Sequence, residues 1–311
     1  STLGELMAPD RLLPWLHEQA FIPSLLQQHA EEVACLFDVR SWLTKSPQGG
    51  RRDLERLDDR LMANLDGLKE SGAEAFGLCE AALEDGSAGA VFCVTARAIQ
   101  DGRRSSLERL LALAEAVPGY RRGLIAAFGW AEPSDLRGIA AALIRSERCF
   151  QRSVGIAACA LHRLDPGLAT KKLMQDSDPL CRARAFRTAG EIGCTDLRSV
   201  CASAASDEDA ECRFWAARSA VLLGDRQAAM DALMDFASTP NPHRSTAFTL
   251  WSQAMQRVQR HTTLAHLAEV GASQRLFIKG ACLAGEPECV PWLISQMSDV
   301  ATARLAGEAF G

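Results

Sequence analysis

The sequence predicts an all-α chain, a right-handed α-solenoid of stacked helix pairs closed at its N-terminal end by a helical cap. Three observations predict it. An arginine recurs at Arg121, Arg152, Arg182, Arg213, Arg244 and Arg275, with spacings of 31, 30, 31, 31 and 31 residues, and Arg304 follows after 29. Six residues before each stands a side chain able to accept a hydrogen bond: Glu115, Ser146, Asp176, Asp207, Ser238, Glu269 and Ser298. After each arginine, small or apolar residues return at the third or fourth and the seventh places, as in Ala185, Phe186 and Ala189, then Ala216, Ala217 and Ala220. That spacing keeps one face of a helix apolar and does not suit a strand.

The first 86 residues stand outside this rhythm. "IPSLLQQHAEEVACLFDVRSWL" reads as an amphipathic helix and "SPQGG" from Ser46 as a turn. "LERLDDRLMANLDGL" then places Leu54, Leu57, Leu61, Leu65 and Leu68 in one stripe. Residues 1–86 are therefore expected to be a helical hairpin that caps the array. Asp58 and Asp59, adjacent and so on different sides of that helix, are expected to be solvated.

Residues 87–311 carry the repeats. "CRARAFRTAGEIG" from Cys181 and "CRFWAARSAVLLG" from Cys212 are the second helices of two successive units, and Gly193 and Gly224 fall where those helices should stop. First helices are read in "PSDLRGIAAALIRS" from Pro133, "DRQAAMDALMDFAS" from Asp225 and "EPECVPWLISQMSD" from Glu286. A two-helix unit of about 31 residues buries its apolar face only by stacking on its neighbours. Only seven residues follow Arg304, so the last helix is expected to be cut short or followed by further repeats.

A helix pair with an acidic or hydroxyl residue in the turn and an arginine opening the second helix resembles a HEAT repeat in its short bacterial form. The resemblance implies a ladder of Asp and Arg columns between repeats. Asp176 with Arg182 and Asp207 with Arg213 match that pattern, while Arg244 and Arg275 match it more loosely. "LDDRLMANLDGL" from Leu57, "VPWLISQM" from Val290 and "ARLAGEAFG" from Ala303 are similar to signature words of a bacterial family of HEAT-repeat proteins often encoded beside type VI secretion genes. That resemblance implies an adaptor that handles a secretion effector or its delivery proteins.

Composition narrows the function classes. A net charge of -5 and a pI near 5.8 argue against a general nucleic-acid surface. Eleven cysteines, odd in number and never in a Cys-x-x-Cys arrangement, suit reduced, mostly buried thiols in a cytoplasmic protein. No signal peptide and no apolar run long enough to span a bilayer is seen. No cofactor motif is present. His261 and His266 are five apart with no glutamate between them, so no zinc site is expected. Cys282 and Cys289 flank a turn and are read as buried thiols. Cys181 and Cys212 stand at helix starts, where a thiolate would be favoured.

The positions two and five after each arginine share a helix face: Arg184 and Arg187, Trp215 and Arg218, Thr246 and Thr249, Phe277 and Gly280. In the HEAT architecture such second helices line the concave surface. Arg184, Arg187, Trp215, Arg218 and Phe277 are therefore the candidate protein-binding strip, of residue types that dominate interface energetics. It suits an acidic helix or tail. The reading is a non-catalytic scaffold. The alternatives are an immunity protein for a neighbouring toxin, or a HEAT-like enzyme or accessory of the bilin-lyase or DNA-glycosylase kind.

Overall fold

In the computed structural model, residues 22–44, 46, 50–255, 274–285 and 287–310 are described, and among them no strand occurs. The chain divides into two compact units, Ser1–Leu136 and Arg137–Gly311. The boundary expected at 86/87 falls inside the first.

The first unit contains α1 (Pro23–Leu43), α2 (Arg51–Glu70), α3 (Gly72–Ala81), α4 (Ala88–Gln100), α5 (Arg104–Ala116) and α6 (Arg121–Trp130). Pro23 opens α1, where its missing donor costs nothing. Leu26, Ala30, Val33, Leu36 and Phe37 line its buried face, and α2 faces it with Leu61, Leu65 and Leu68. Leu54 and Leu57, expected in the same stripe, are only half-buried; they lie in the first two turns of α2, beside the turn that joins the two helices. Asp58 is not on a solvated face: Arg40 of α1 binds both of its oxygens across the hairpin.

Helix α4 is the centre of this unit, buried from Ala88 to Ile99. Ser87 caps it by accepting from the Ala90 amide at 2.9 Å. The hairpin is continuous with it. Phe37 of α1 stacks on Phe92 at 4.4 Å, and a Cβ at Gly89 would lie 2.0 Å from the backbone oxygen of Ala34.

The second unit contains α7 (Ile139–Ile144), α8 (Cys149–Leu161), α9 (Leu168–Leu173), α10 (Pro179–Ile192), α11 (Arg198–Ser203), α12 (Ala210–Leu222), α13 (Ala228–Ser238), α14 (Arg244–Ala254), α15 (Gln274–Ala284), α16 (Val290–Gln296) and α17 (Ala303–Phe310). Short first helices alternate with longer second helices, and α8, α10 and α12 pack side by side. The helix expected from Pro133 begins only at Ile139, because Gly138 takes the left-handed conformation at φ 77° and breaks the run. Gly193 ends α10 at φ 83°, a conformation that leaves residues with a Cβ strained. One core runs through these helices from Ile156 to Leu276, with Phe186, Phe214, Phe248 and Leu233 fully buried in it. The fold is an all-α solenoid. His261, His266 and Glu269 lie outside the described residues, as does Glu286 at the start of its expected helix.

Candidate interaction site on the second helices

The arginine column has a local cause. Arg121, Arg152, Arg182, Arg213 and Arg244 stand at or near the start of a second helix and reach back to backbone oxygens at the end of the segment before it. Arg182 donates to the oxygens of Asp176 and Ser177, each at 3.0 Å. Arg213 donates to those of Asp207 and Glu208 at 2.7 and 3.2 Å. Arg152 does the same to Ser146 and Glu147 at 3.1 and 2.6 Å, and Arg244 to Ala237 at 3.0 Å. These bonds satisfy carbonyls left over where the first helix ends.

The aspartates do not pair with the arginine that follows them by six residues. Asp176 receives Arg152, 24 residues earlier, at 2.7 Å. Asp207 receives both Nε and Nη2 of Arg182, 25 residues earlier, at 3.2 and 3.1 Å. Each aspartate also accepts a backbone amide two residues on, from Asp178 and Asp209. One carboxylate thus shapes its own turn and joins its repeat to the one before.

Burial pushes both carboxyls up. For Asp176 the Asp178 amide and Arg152 outweigh it, and for Asp207 Arg182 and the Asp209 amide do so. Both groups end below the ordinary value of 3.8.

Among the described residues two rungs of this kind are formed. Arg213 lies over the Phe236 ring at 5.8 Å, and Arg275 donates to the backbone oxygen of Ala301 at 3.0 Å. Ser238 does not serve the turn before Arg244. Its hydroxyl is bound to Met234 within α13, and Asn241 accepts the His243 amide instead at 2.8 Å. Prolines at 240 and 242 flank the new acceptor, Asn241, in that turn. Near the C-terminal end Asp299, not Ser298, accepts the Ala301 amide at 2.9 Å.

The strip residues divide into a cluster and an outlier. Trp215, half-buried, carries the guanidinium carbons of Arg187 and Arg218 over its ring at 4.5 and 5.3 Å, and its indole nitrogen donates to Glu211 at 3.1 Å. Glu211 also meets His243 at 2.6 Å, and His243 stacks on Phe214 at 3.8 Å. Arg184 is not on an open floor. Its side chain is 13% exposed and bound to Glu191 and to Thr188. Glu191 takes Arg187 as well, at 2.7 Å. Phe277 stands apart, packed edge-on against Trp292 at 4.7 Å. Thr246 is exposed and Gly280 is buried.

Glu191 and Glu211 are the site residues that sequence reasoning missed. Their signal was present: Glu191 lies seven residues after Arg184 and four after Arg187, and Glu211 four before Trp215, all spacings that share a helix face. Arg218 is left with an unmet demand. Its Nη1 is buried without a hydrogen-bond partner. Burial, and then the charge of Arg187, holds it below the usual guanidinium range.

The thiolate expected at the helix starts of Cys181 and Cys212 is disfavoured by burial. Burial raises Cys181, and burial followed by Asp207 pushes Cys212 up to about 12. Desolvation there outweighs the helix start. Cys282 is exposed and Cys289 half-buried, and no disulfide joins them. Among the described residues no group of His, Cys, Asp or Glu is placed to hold a metal ion, and no helix is long and apolar enough to cross a membrane.

A family described as HEAT repeats matches residues 168–250. That stretch runs from the start of α9 into α14, and holds Arg182, Asp207 and Arg213 together with Arg184, Arg187, Trp215 and Arg218. No curated protein and no solved structure matches the chain. The arginine-led helix pairs and the bonds between successive turns make the chain an all-α solenoid, and its residues 168–250 are similar to HEAT repeats.

Proposed function

We propose that this chain is a non-catalytic scaffold or adaptor that holds an acidic segment of another protein against Trp215, Arg187 and Arg218. HEAT repeats commonly serve as protein-interaction scaffolds. The observation that carries the finer reading is the cluster itself: a half-exposed tryptophan under two guanidiniums, one of which keeps a buried donor unmet. A carboxylate supplied by a partner would offset the crowding of Arg187 and Arg218 over the exposed part of the ring. Arg184 contributes by occupying Glu191, which leaves Arg187 less fully neutralised.

The setting we assign is the bacterial cytoplasm and type VI secretion, with an effector or delivery component as the partner. It rests on the similarity of "LDDRLMANLDGL", "VPWLISQM" and "ARLAGEAFG" to the secretion-linked family. In this reading residues 1–86 cap the array, residues 87–311 hold the repeats, and the Asp and Arg columns maintain the stack.

Affinity purification from the native host tests it, with the intact chain set against a variant carrying Arg187→Glu and Trp215→Leu. Both replaced side chains are part-exposed, so the variant is expected to fold, as its circular dichroism melt will report. An acidic protein retained by the intact chain and lost by the folded variant supports the proposal. Identical retained sets refute it.

A further inference from the structure

The helix starts of the second unit repeat one backbone contact. The thiol of Cys212, the residue before Arg213, donates to the backbone oxygen of Pro179 at 3.2 Å, and Pro179 lies three residues before Arg182. One step earlier the thiol of Cys181, the residue before Arg182, donates to the backbone oxygen of Cys149 at 3.2 Å. Cys149 lies three residues before Arg152. The two steps share their geometry and differ in the side chain at the accepting position: a proline ring in one, a thiol in the other.

That difference brings two sulfurs together. Sγ of Cys149 and Sγ of Cys181 are 2.6 Å apart, about half an ångström beyond the ~2.05 Å of a disulfide. The other close pair, Cys79 and Cys93 in the first unit, keeps 3.6 Å.

We propose that Cys149 and Cys181 are a two-electron redox pair that converts between dithiol and disulfide and, when oxidised, staples α8 to α10. The oxidant class is a hydroperoxide, for which hydrogen peroxide stands. Cys149 is half-buried whereas Cys181 is 1% exposed, so the oxidant arrives at Cys149. Its sulfur attacks one peroxide oxygen, the O–O bond breaks, and the thiol proton leaves with the departing hydroxide as water. The product is a sulfenic acid. The sulfur of Cys181 then attacks Sγ of Cys149, the S–O bond breaks, and the Cys181 proton leaves with the hydroxyl as a second water. Two thiols have lost two electrons and two protons to one peroxide.

The surroundings set the rate and the persistence of this bond. Burial, then the Cys181 thiol and Asp178, pushes the Cys149 thiol far above its ordinary range, and burial raises Cys181 too. Scarce thiolate makes formation slow. A thiol of high pKa is also a poor leaving group, so the bond, once formed, exchanges slowly. The staple spans the step already joined by Arg152 and Asp176, and so adds a covalent tie where the stack has a rung.

The test uses the intact, fully reduced chain. It is exposed to hydrogen peroxide, its remaining thiols are alkylated, and it is digested without reductant for mass spectrometry. The expected product is a pair of peptides joined through Cys149 and Cys181, two hydrogens lighter than the separate thiols and released by a dithiol. The thermal midpoint of the oxidised chain should rise by roughly 5 °C or more, and a Cys149→Ser variant should show no such rise. Recovery of both residues as alkylated thiols, or as separate sulfinic and sulfonic acids, once exposed Cys35 and Cys282 have been oxidised, overturns the proposal. The peptide map of the intact chain decides the matter even where the variant folds poorly.

Discussion

Arg182 and Asp207 meet through two parallel bonds, Nε to Oδ2 and Nη2 to Oδ1, across 25 residues of sequence and one step of the stack. Their side chains are 20% and 15% exposed, so water screens the pair only in part. The same guanidinium holds two turn carbonyls, and the same carboxylate holds the Asp209 amide. Asp207→Ala should therefore cost about 1–3 kcal/mol of stability, read as a lower urea midpoint. Asp207→Asn keeps an acceptor for the Asp209 amide and should cost less. Asp196, whose bond to Lys171 lies in solvent with both side chains more than half exposed, is the control. Its replacement by Asn should leave the midpoint unchanged.

The carboxyls of Asp176 and Asp207 sit below 3.8 in the folded chain. A carboxyl depressed on folding adds stability that is fully present above its unfolded value and is lost as pH falls through its folded one. Urea unfolding should accordingly show this contribution undiminished at neutral pH and lost progressively below about pH 4. The stability gap between the native chain and Asp207→Asn should narrow over that window. A gap of constant size from pH 7 to pH 3 would mean that the charge is not what Asp207 supplies.

At Gly190 helix α10 packs against α12 with no room for a side chain. A Cβ there would stand 2.4 Å from the hydroxyl oxygen of Ser219, and 2.8 and 2.9 Å from its Cβ and Cα. Since the obstruction includes backbone, no rotamer change relieves it, and Gly190→Ala should destabilise by roughly 1–3 kcal/mol. Adding Ser219→Gly should restore part of that loss. Fully additive effects in a double-mutant cycle would show that the two residues do not touch.

The fold was legible because the repeat is enforced locally. Arg121, Arg152, Arg182, Arg213 and Arg244 each serve a turn five to seven residues before them, as Arg182 serves Asp176 and Ser177, and such contacts leave a fixed spacing in the sequence. The pairing of Asp207 with Arg182 instead of Arg213 was not legible. Both partners lie on the ruler, and only the stacking of helices decides which one reaches the carboxylate. The spacing of Arg184 and Arg187 predicts a shared open surface, yet Glu191, two turns beyond Arg184, draws Arg184 in. At the turn before Arg244 the acceptor is Asn241, flanked by Pro240 and Pro242, and not Ser238, a change that a strict count of residues passes over.

If the Trp215 cluster takes carboxylates, its indole N–H should report their arrival. The most direct measurement follows the indole N–H signals of the six tryptophans by NMR while a polyglutamate peptide is added at low salt. The Trp215 signal should move first and furthest, and return when salt is raised, because its N–H lies beside Glu211 and its ring under Arg187 and Arg218. A Trp215 signal that stays in place in the folded chain, or that moves no more than the other five, would contradict it.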